Sequence, residues 1–432
     1  MLTLGVKPGQ TPPTMPDSSK AEFDLILWGA TGFTGRLVAE YLARNQDAHR
    51  ARWALAGRDR ARLEQVRSGL AALNPACAEL PLLLGDARDA ASLDALVART
   101  RVIISTVGPY ARHGSELVAA CVRGGRDYCD LTGEVQWMRR MIDAHHAQAR
   151  ATGARIVHTC GFDSIPSDLG VFMLQEHMRE QHGGHCSRVR LHVTKMRGGF
   201  SGGTVASLLQ AVDESTADRE VRRVLGNPHA LDPEPRRGTP EERDQLGVRY
   251  SRELGRWTAP FVMGAVNTRV VRRSNALLGY PWGQDFLYSE VASFKPGVKG
   301  MLTAVGTSVG LGAFMVATTV PVVRRQLEKR VLPAPGEGPS PEERERGLFE
   351  VRLVGEGTSV KSGRPVRLEA TVAAKGDPGY AATSRMLAES ALCLAFDGVP
   401  AEGGVRTPAS TMGMRLVERL RRAGMTFEVR EL

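Results

Sequence analysis

Cysteine is scarce in this chain, with six residues spread far apart among 432. Cys121 and Cys129 fall in different predicted elements and Cys186 stands alone, so no pair has the spacing of zinc ligands, and we predict no metal site. Residues 1–20 are rich in Pro, Ser and Thr and lack the apolar core of a signal peptide, which predicts a flexible arm. Scattered thiols without such a signal favour a reducing, cytoplasmic location.

The sequence also lacks the patterns of nucleic-acid-binding proteins. Its net charge is +10, but neither zinc spacing, nor a basic helix, nor interleaved aromatic and basic residues accompany the charge. The arginines that supply it are spread along the whole chain, as on a solvated surface. We therefore expect no nucleic acid as partner, although an acidic carrier protein, a nucleotide or a membrane surface would still be attracted.

The chain does contain enough apolar sequence for two cores, because 42% of its residues are hydrophobic. Up to about residue 170, apolar runs such as FDLILW (23–28) and RVIISTVG (101–108) alternate with segments at helical spacing. Such alternation is typical of a parallel sheet with helices on both faces. The fold class is therefore α/β, with a doubly wound Rossmann domain expected over residues 21–170.

After about residue 170 the pattern changes. Four runs alternate apolar and polar residues, which is typical of half-exposed antiparallel strands; they are residues 187–196, 286–294, 348–357 and 365–375. We expect a second α+β domain over 171–400, built on a largely antiparallel sheet and used for substrate binding and dimerisation. Residues 226–256 and 332–346 are predicted to be surface loops, and residues 401–432 to pack back on the Rossmann domain.

One segment departs from the soluble pattern. Residues 301–323 carry no charge, are long enough to span a bilayer, and precede Arg324 and Arg325. Their glycines and threonines make them only moderately hydrophobic. Three roles stay open: a membrane-spanning helix, an element that lies on a membrane surface or lines an acyl-chain site, or a helix at a dimer or domain interface. Gly306 and Gly310 have the GxxxG spacing of closely packed helices.

The strongest chemical signal is the motif GATGFTG between the first strand and the first helix. Glycines at such a turn let the chain bend sharply, let a pyrophosphate approach the backbone, and let the helix pack closely on the strand. The helix N-terminus then offers N–H groups and partial positive charge to the phosphates. The candidate cofactor-binding residues of the motif are Gly29, Ala30, Thr31, Gly32, Phe33, Thr34 and Gly35.

The residue that follows the second strand indicates which dinucleotide the protein binds. NAD-binding proteins place a carboxylate there for the ribose hydroxyls, whereas this chain has Arg58, which offers a guanidinium to a 2′-phosphate. We therefore predict NADPH as cofactor, although Asp59 follows directly. Asp86, after the third strand, is a candidate acceptor for the adenine amine, or else a helix cap.

Further candidates follow the next strands, at the same edge of the predicted sheet. Thr106, Val107, Gly108 and Pro109 are expected to line the dinucleotide. Tyr110 and His113 are the first side chains beyond them that can donate a proton.

Two more motifs, DLTGE (130–134) and CGFDSIPSD (160–168), end the next two strands. Thr132, Glu134, Asp163 and Ser164 are candidates to hold substrate or nicotinamide, or else to cap helices. Ser167 and Asp168 are expected to cap. Our candidate catalytic residues are Tyr110, Asp163 and Ser164.

Taken together, these motifs, and above all CGFDSIPSDLG (160–170), resemble the saccharopine dehydrogenase-like oxidoreductases. NTRVVRRSNALLGY (267–280) and YSE (288–290) are most similar to the trans-acting enoyl reductases of polyketide-lipid synthesis. The resemblance runs from about residue 22 to 410. It implies an NADPH-dependent reductase that works beside a polyketide synthase and saturates a carbon–carbon double bond in a lipid-like acyl intermediate.

Under this hypothesis Tyr110 would donate to the thioester oxygen, with Ser164 or Thr132 nearby. We also expect a homodimer, located in the cytoplasm or at the inner face of the membrane through residues 301–323. Two alternatives stay open: reduction of C=N or C=O in an amino-acid-like substrate, for which Arg272 and Arg273 are a weak candidate site, and a lipid-associated protein that binds the nucleotide without catalysis.

Overall fold

The computed structural model describes residues 21–45, 50–198, 202–320, 323–326, 338–399 and 402–432. The predicted arm at 1–20 lies outside these residues, as do residues 332–337 of the second predicted loop. Elements are numbered along the chain, and the strands form two seven-stranded sheets.

The first sheet consists of short, buried strands. They are β1 Phe23–Trp28, β2 Trp53–Gly57, β3 Leu82–Leu84, β4 Thr100–Ser105, β5 Asp127–Cys129, β6 Arg155–Val157 and β13 Gly404–Arg406. Between them lie α1 Phe33–Arg44, α2 Arg60–Leu73, α3 Ala90–Ala98, α4 Tyr110–His113, α5 Ser115–Gly124 and α6 Val135–Thr152. All pairings are parallel and the order is β13-β6-β5-β4-β1-β2-β3. This order confirms the doubly wound Rossmann prediction.

The second sheet contains the longer, alternating strands. They are β7 Cys186–Arg197, β8 Arg249–Ser251, β9 Arg256–Pro260, β10 Leu287–Phe294, β11 Leu348–Thr358, β12 Pro365–Lys375 and β14 Thr426–Glu431. The remaining helices are α7 Ile165–His182, α8 Gly202–Ala217, α9 Arg219–Gly226, α10 Gly264–Leu277, α11 Val298–Thr319, α12 Pro341–Arg346, α13 Thr383–Phe396, α14 Pro408–Thr411 and α15 Gly413–Arg422.

The strand order of the second sheet is β14-β12-β11-β7-β10-β9-β8. The predicted antiparallel character is confirmed for most pairs, but β7 and β10 are parallel. The reason is the long connection between them, which contains α8, α9 and α10 and can carry the chain back to the same end of the sheet. Of residues 402–432, β13 extends the first sheet and β14 extends the second.

The Rossmann sheet is covered on both faces. Leu25 and Leu27 pack in one core with Val38 of α1 and Leu387 of α13, whereas Ile26 packs in the opposite core with Val118 of α5. Because α13 comes from the second half of the chain, that half completes the nucleotide-binding domain.

The prediction of a surface loop at 226–256 is wrong in part. His229 is buried and lies 2.8 Å from both Asp232 Oδ2 and Glu242 Oε1. Polar groups can be buried when they are paired in this way, and the loop sequence alone does not reveal the pairing.

Buried Arg419 connects α15 to α13. Its guanidinium lies 3.0 Å from Glu389 Oε2 and 2.8 Å from Asp397 Oδ1. Tyr41 of α1 donates to the other oxygen of Glu389 at 2.6 Å. The ion pair therefore holds the C-terminal helices against the helix that follows the glycine-rich turn.

We expect Arg419→Met to lower the free energy of unfolding by about 3 kcal/mol, because Glu389 would stay buried without its cation. Arg123→Met, which removes the exposed partner of Asp94, should cost less than about 1 kcal/mol. Urea unfolding of both variants checks this difference. Equal losses of unfolding free energy in the two variants would mean that the buried ion pair does not stabilise the fold.

Candidate functional site

The glycine-rich turn is so tight that two of its glycines have no room for a side chain. Gly29 has a φ of +87°, and a Cβ there would lie 2.5 Å from Val107 Cγ2. A Cβ on Gly35 would lie 2.1 Å from the carbonyl oxygen of Gly29. Among the described atoms, a Cβ on Gly32 would meet only that same oxygen, at 3.4 Å. The outer side of the turn is therefore open to a ligand.

Helix α1 begins at this opening with its N–H groups unshielded. Its N-cap is Gly32, which offers no capping side chain, and its first turn contains no acidic residue. Ala30 is buried beneath the turn, and Thr31 and Thr34 lie half-buried at its surface. Free N–H groups and the helix dipole together favour an anion at this position. The turn thus fits the pyrophosphate of a dinucleotide.

Phe33 has a different role from its neighbours in the motif. Its ring packs edge-on against Tyr380, with centroids 4.7 Å apart, and beneath the guanidinium of Arg344. Phe33 can therefore offer its backbone N–H to a phosphate, while its ring joins the turn to the second half of the chain.

Arg58 lies at the end of β2, exposed, as the ribose position requires. Arg88, which the sequence analysis missed, donates its backbone N–H to Asp86 at 2.9 Å and lowers the pKa of that carboxyl group, with a smaller contribution from Arg58. Burial lowers the pKa of His113, and the neighbouring positive charges of Arg58 and Arg112 lower it further. These groups form a positive cluster that suits a 2′-phosphate.

Asp59, which complicated the sequence prediction, is already engaged. Its carboxylate accepts from the backbone N–H of Arg62 at 3.1 Å and caps α2. Because this carboxylate caps a helix, it is drawn away from the ribose hydroxyls that an NAD-specific carboxylate would bind.

The residues after β4 form the opposite wall of the groove. Thr106 Oγ1 lies 3.2 Å from the carbonyl oxygens of both Trp28 and Gly29. Val107 packs against Gly29, Gly108 lines the cavity described below, and Pro109 is the N-cap of α4. The predicted cofactor residues after β4 thus lie next to the glycine-rich turn.

The structure does not favour the predicted role of Tyr110 as hydrogen-bond donor to a substrate. Its phenol is buried, donates to the carbonyl oxygen of Ser105 at 3.1 Å and accepts from the backbone N–H of Leu131 at 3.2 Å. Its single proton is therefore already donated to Ser105, and the hydroxyl group connects the ends of two neighbouring strands. Burial raises the pKa of the phenol well above its usual value.

Glu134 and Thr132 also have structural partners. Glu134 accepts from the backbone N–H groups of Tyr110 and Ala111, at 2.7 and 2.8 Å, and from Ser207 Oγ at 2.7 Å. It therefore caps α4, and burial raises its pKa. Thr132 Oγ1 accepts from the backbone N–H of Glu134 at 3.1 Å. The side chain of Glu134 therefore caps α4 and not α6, which follows it, and Thr132 bonds within its own turn.

Ser164 and Asp168 belong to a buried polar network rather than to an open site. Ser164 Oγ lies 2.7 Å from the backbone carbonyl oxygen of Asp163 and 3.2 Å from Asn267 Oδ1, and the Asn267 amide donates to Glu290. Asp168 accepts from Ser274 Oγ and from the backbone N–H of Ala409. It does not cap its own helix, as we had expected, but ties α7 to α10 and α14.

A cavity of about 1380 Å³ opens beside the nucleotide groove. Its wall begins at the carboxyl ends of three Rossmann strands, with Gly108 after β4, Gly133 after β5 and Asp163 after β6. The rest of the wall comes from the second half of the chain and is mostly apolar. The larger apolar side chains that line it include Val193, Met196, Leu208, Phe261, Val266, Phe294, Leu311 and Phe314.

Asp163 is the carboxylate that faces this cavity. Among the described residues it has no hydrogen-bond or ion-pair partner, and burial raises its pKa to about 7. Its catalytic role stays a prediction, as does that of Ser164. Gln136 also lines the cavity. It was not among the predicted site residues, because a polar residue in the first turn of a helix is ordinarily solvated.

Arg272 and Arg273 do not form a site for a dicarboxylic substrate. Both are buried, and each guanidinium donates to backbone carbonyl oxygens, those of Tyr288 and Leu231 among them. Burial lowers the pKa of Arg272 to about 10 and that of Arg273 to about 9. Their guanidinium groups therefore hold neighbouring backbone segments together and do not face the cavity.

The fold and the groove together define a dinucleotide-dependent oxidoreductase, and comparison with known proteins makes this more specific. Residues 25–157 match the saccharopine dehydrogenase NADP binding domain. Apo saccharopine dehydrogenase (L-Glu forming) from Saccharomyces cerevisiae has a similar fold, with a TM-score of 0.53 at 12% identity over 95% of this chain and 100% of that chain.

Two mycobacterial proteins are similar over their whole length. A trans-acting enoyl reductase of Mycobacterium bovis (strain BCG / Pasteur 1173P2) is 40% identical over 95% of this chain and 98% of its own. A Mycobacterium tuberculosis (strain ATCC 25618 / H37Rv) protein with a provisional assignment as trans-acting enoyl reductase is 45% identical over the same shares. The chain belongs to the trans-acting enoyl reductase family of saccharopine dehydrogenase-like oxidoreductases, as its motifs predicted, and NADP(H) is its cofactor class.

We expect Arg58→Ala to weaken NADPH binding by about tenfold, because a charge-assisted hydrogen bond to the 2′-phosphate contributes about 1.5 kcal/mol or more. NADH binding should be unchanged, since NADH lacks this phosphate. Fluorescence titration with both dinucleotides checks the prediction, with Arg123→Ala as the control. An equal loss of affinity for NADPH and NADH would contradict the assignment of Arg58.

Proposed function

We propose that this protein is an NADPH-dependent trans-acting enoyl reductase that saturates a carbon–carbon double bond in a lipid-like acyl intermediate. The observation that carries the proposal is the continuity of the glycine-rich groove with a large apolar cavity. Apolar surface of this extent suits an acyl chain. The names of the mycobacterial relatives support the same reaction. The acyl group would be delivered by an acidic carrier protein of a polyketide synthase, which the basic surface would attract.

When bound, NADPH supplies a hydride for the β-carbon of the conjugated thioester. The chain's own residues do the rest. The glycine-rich turn and the Arg58 cluster would hold the phosphates, and the wall after β4 would hold the rest of the cofactor at the side of the groove where the cavity opens. The apolar wall binds the acyl chain and excludes water from the reacting carbons.

The alternative of C=N or C=O reduction in an amino-acid-like substrate would need a compact polar pocket. The two arginines considered for a dicarboxylate are instead buried against backbone carbonyl oxygens. We therefore favour the acyl substrate.

A panel of substrates tests the proposal through the loss of NADPH absorbance. With trans-2-enoyl thioesters, each added methylene that enters the cavity should raise kcat/KM by about fourfold, since its burial contributes about 0.8 kcal/mol. Short 2-oxo acids with an amino acid should give no turnover. Turnover of the oxo acids without turnover of any enoyl thioester would refute the proposal.

We further propose that α11 docks on the surface of an anionic membrane at the cytoplasmic face. An 18-residue window of this helix has a mean hydropathy of 1.6, and only 11% of that window is buried. Its inner face, including Leu311 and Phe314, lines the cavity, whereas Val309 and Val316 on the outer face are exposed. A bound membrane would then lie directly behind the cavity wall, within reach of a lipid-like substrate.

Charge favours the membrane over a second copy of the chain. Exposed Lys295 and Lys299 lie at one end of α11, exposed Arg325 follows the other, and no acidic residue occurs in the sequence between Glu290 and Gln326. Two copies packed along α11 in either direction would bring cations together, whereas anionic headgroups would neutralise both ends. The homodimer stays a prediction, for which another surface would be needed.

The double variant Val309→Glu/Val316→Glu should reduce cosedimentation with phosphatidylglycerol vesicles by about tenfold or more, because two side chains that would enter the bilayer become charged. Activity on a short, soluble enoyl thioester should be kept. Val360→Glu, at an exposed valine between β11 and β12, is the matched control. Unchanged cosedimentation, or equal loss in the control, would contradict docking through α11.

A further inference from the structure

Gln136 presents a buried amide without a partner. Its side chain lies in the first turn of α6, is only 2% exposed, and lines the cavity. Within the described part of the chain, neither its amide nitrogen nor its amide oxygen has a hydrogen-bond partner. Leaving such a group unpaired is costly, and native proteins seldom do so without a functional reason. The arrangement points to a ligand that supplies the missing partner.

Asp163 lines the same cavity as Gln136. A Cβ on Gly133, three residues before Gln136, would be 3.8 Å from Asp163 Oδ2. The neighbouring Glu134 already accepts from three donors, and the proton of Tyr110 is donated to Ser105. Among the described residues on this side of the cavity, Asp163 and Gln136 therefore retain hydrogen-bonding capacity for a substrate.

We propose that the amide N–H of Gln136 donates to the carbonyl oxygen of the acyl thioester and that the carboxyl group of Asp163 donates the proton to the α-carbon. This inference rests on the proposed enoyl reductase function and adds the two groups that complete the reaction. Gln136 would stabilise the negative charge that develops on the oxygen as hydride reaches the β-carbon.

The step balances. A C–H bond forms at the β-carbon with the hydride of NADPH, which is oxidised, and the π electrons of the double bond shift toward the carbonyl oxygen. These electrons then form the second C–H bond, at the α-carbon, with the proton of Asp163. The Asp163 carboxylate that remains takes up a proton from water once the product leaves the cavity.

The proposal predicts a pH dependence. Because burial raises the pKa of Asp163 to about 7, the protonated form is lost as pH rises through neutrality, and kcat should fall. The other titratable groups toward the cavity are Tyr110 from α4, Glu134 from α6, and Lys195 and Arg197 from β7. Lys195 is paired with Glu350 at 2.6 Å. In the described residues, α8, α10 and α11 present no charged side chain to the cavity.

The test compares Asp163→Asn and Gln136→Leu with the wild-type protein on one enoyl thioester. Asp163→Asn should lower kcat by about 100-fold, as loss of a general acid does, and should abolish the fall in kcat above neutral pH. In deuterated water the wild type should place deuterium at the α-carbon in one configuration, and the variant should give a mixture. Asp94→Asn, an exposed carboxylate, is the control for charge.

Gln136→Leu should lower kcat/KM by about 100-fold while its urea midpoint stays equal or rises, because an unpaired buried amide is replaced by an apolar side chain. A glutamine with only a structural role would instead lose stability on this change. NADPH affinity of both variants, measured by fluorescence, should match that of the wild type.

The outcomes separate the two hypotheses. If the wild-type protein reduces no enoyl thioester, the proposed function fails. If it does, and both variants retain wild-type kcat, pH profile and α-carbon stereochemistry, the roles of Asp163 and Gln136 are overturned while the function stands.

Discussion

At Gly35 the backbone comes so close to the carbonyl oxygen of Gly29 that a Cβ there would lie 2.1 Å from that oxygen. This contact lets α1 begin directly at the end of β1, so the helix N-terminus is aimed into the groove. Thr106 closes the turn from the neighbouring strand. Phosphate binding, the wall after β4 and the start of the cavity all follow from this one approach of backbone to backbone.

The second half of the chain completes what the Rossmann domain begins. It supplies the apolar cavity wall through β7, α8, α10 and α11, and it covers one face of the Rossmann sheet through α13. Glu389 of α13 accepts from Tyr41 of α1 and pairs with Arg419, so the two halves share buried polar contacts as well as a core. Nucleotide binding and acyl binding are therefore properties of one packed unit.

Features with a local physical cause were predictable from the sequence. The GATGFTG turn, the alternation of strands and helices, and Arg58 after β2 depend on neighbours in the chain, and the structure has them where the sequence indicated. Features that depend on partners far away in the chain were not predictable from the sequence. Tyr110 is occupied by Ser105 and Leu131, Asp168 by Ser274 and Ala409, and Gln136 is buried although it lies in the first turn of a helix. Residues 301–323 were predictable only in part. Their composition left several roles open, and the fold shows α11 as a cavity wall with an exposed outer face.

The central claim is that the dinucleotide groove delivers hydride into the apolar cavity. The most direct measurement uses NADPH with deuterium at both C4 positions and follows the label during reduction of a long-chain enoyl thioester, with the product analysed by mass spectrometry and NMR. This account predicts one deuterium per product molecule, located at the β-carbon. A saturated product without that deuterium, or binding of NADPH that never yields a labelled acyl chain, would contradict it.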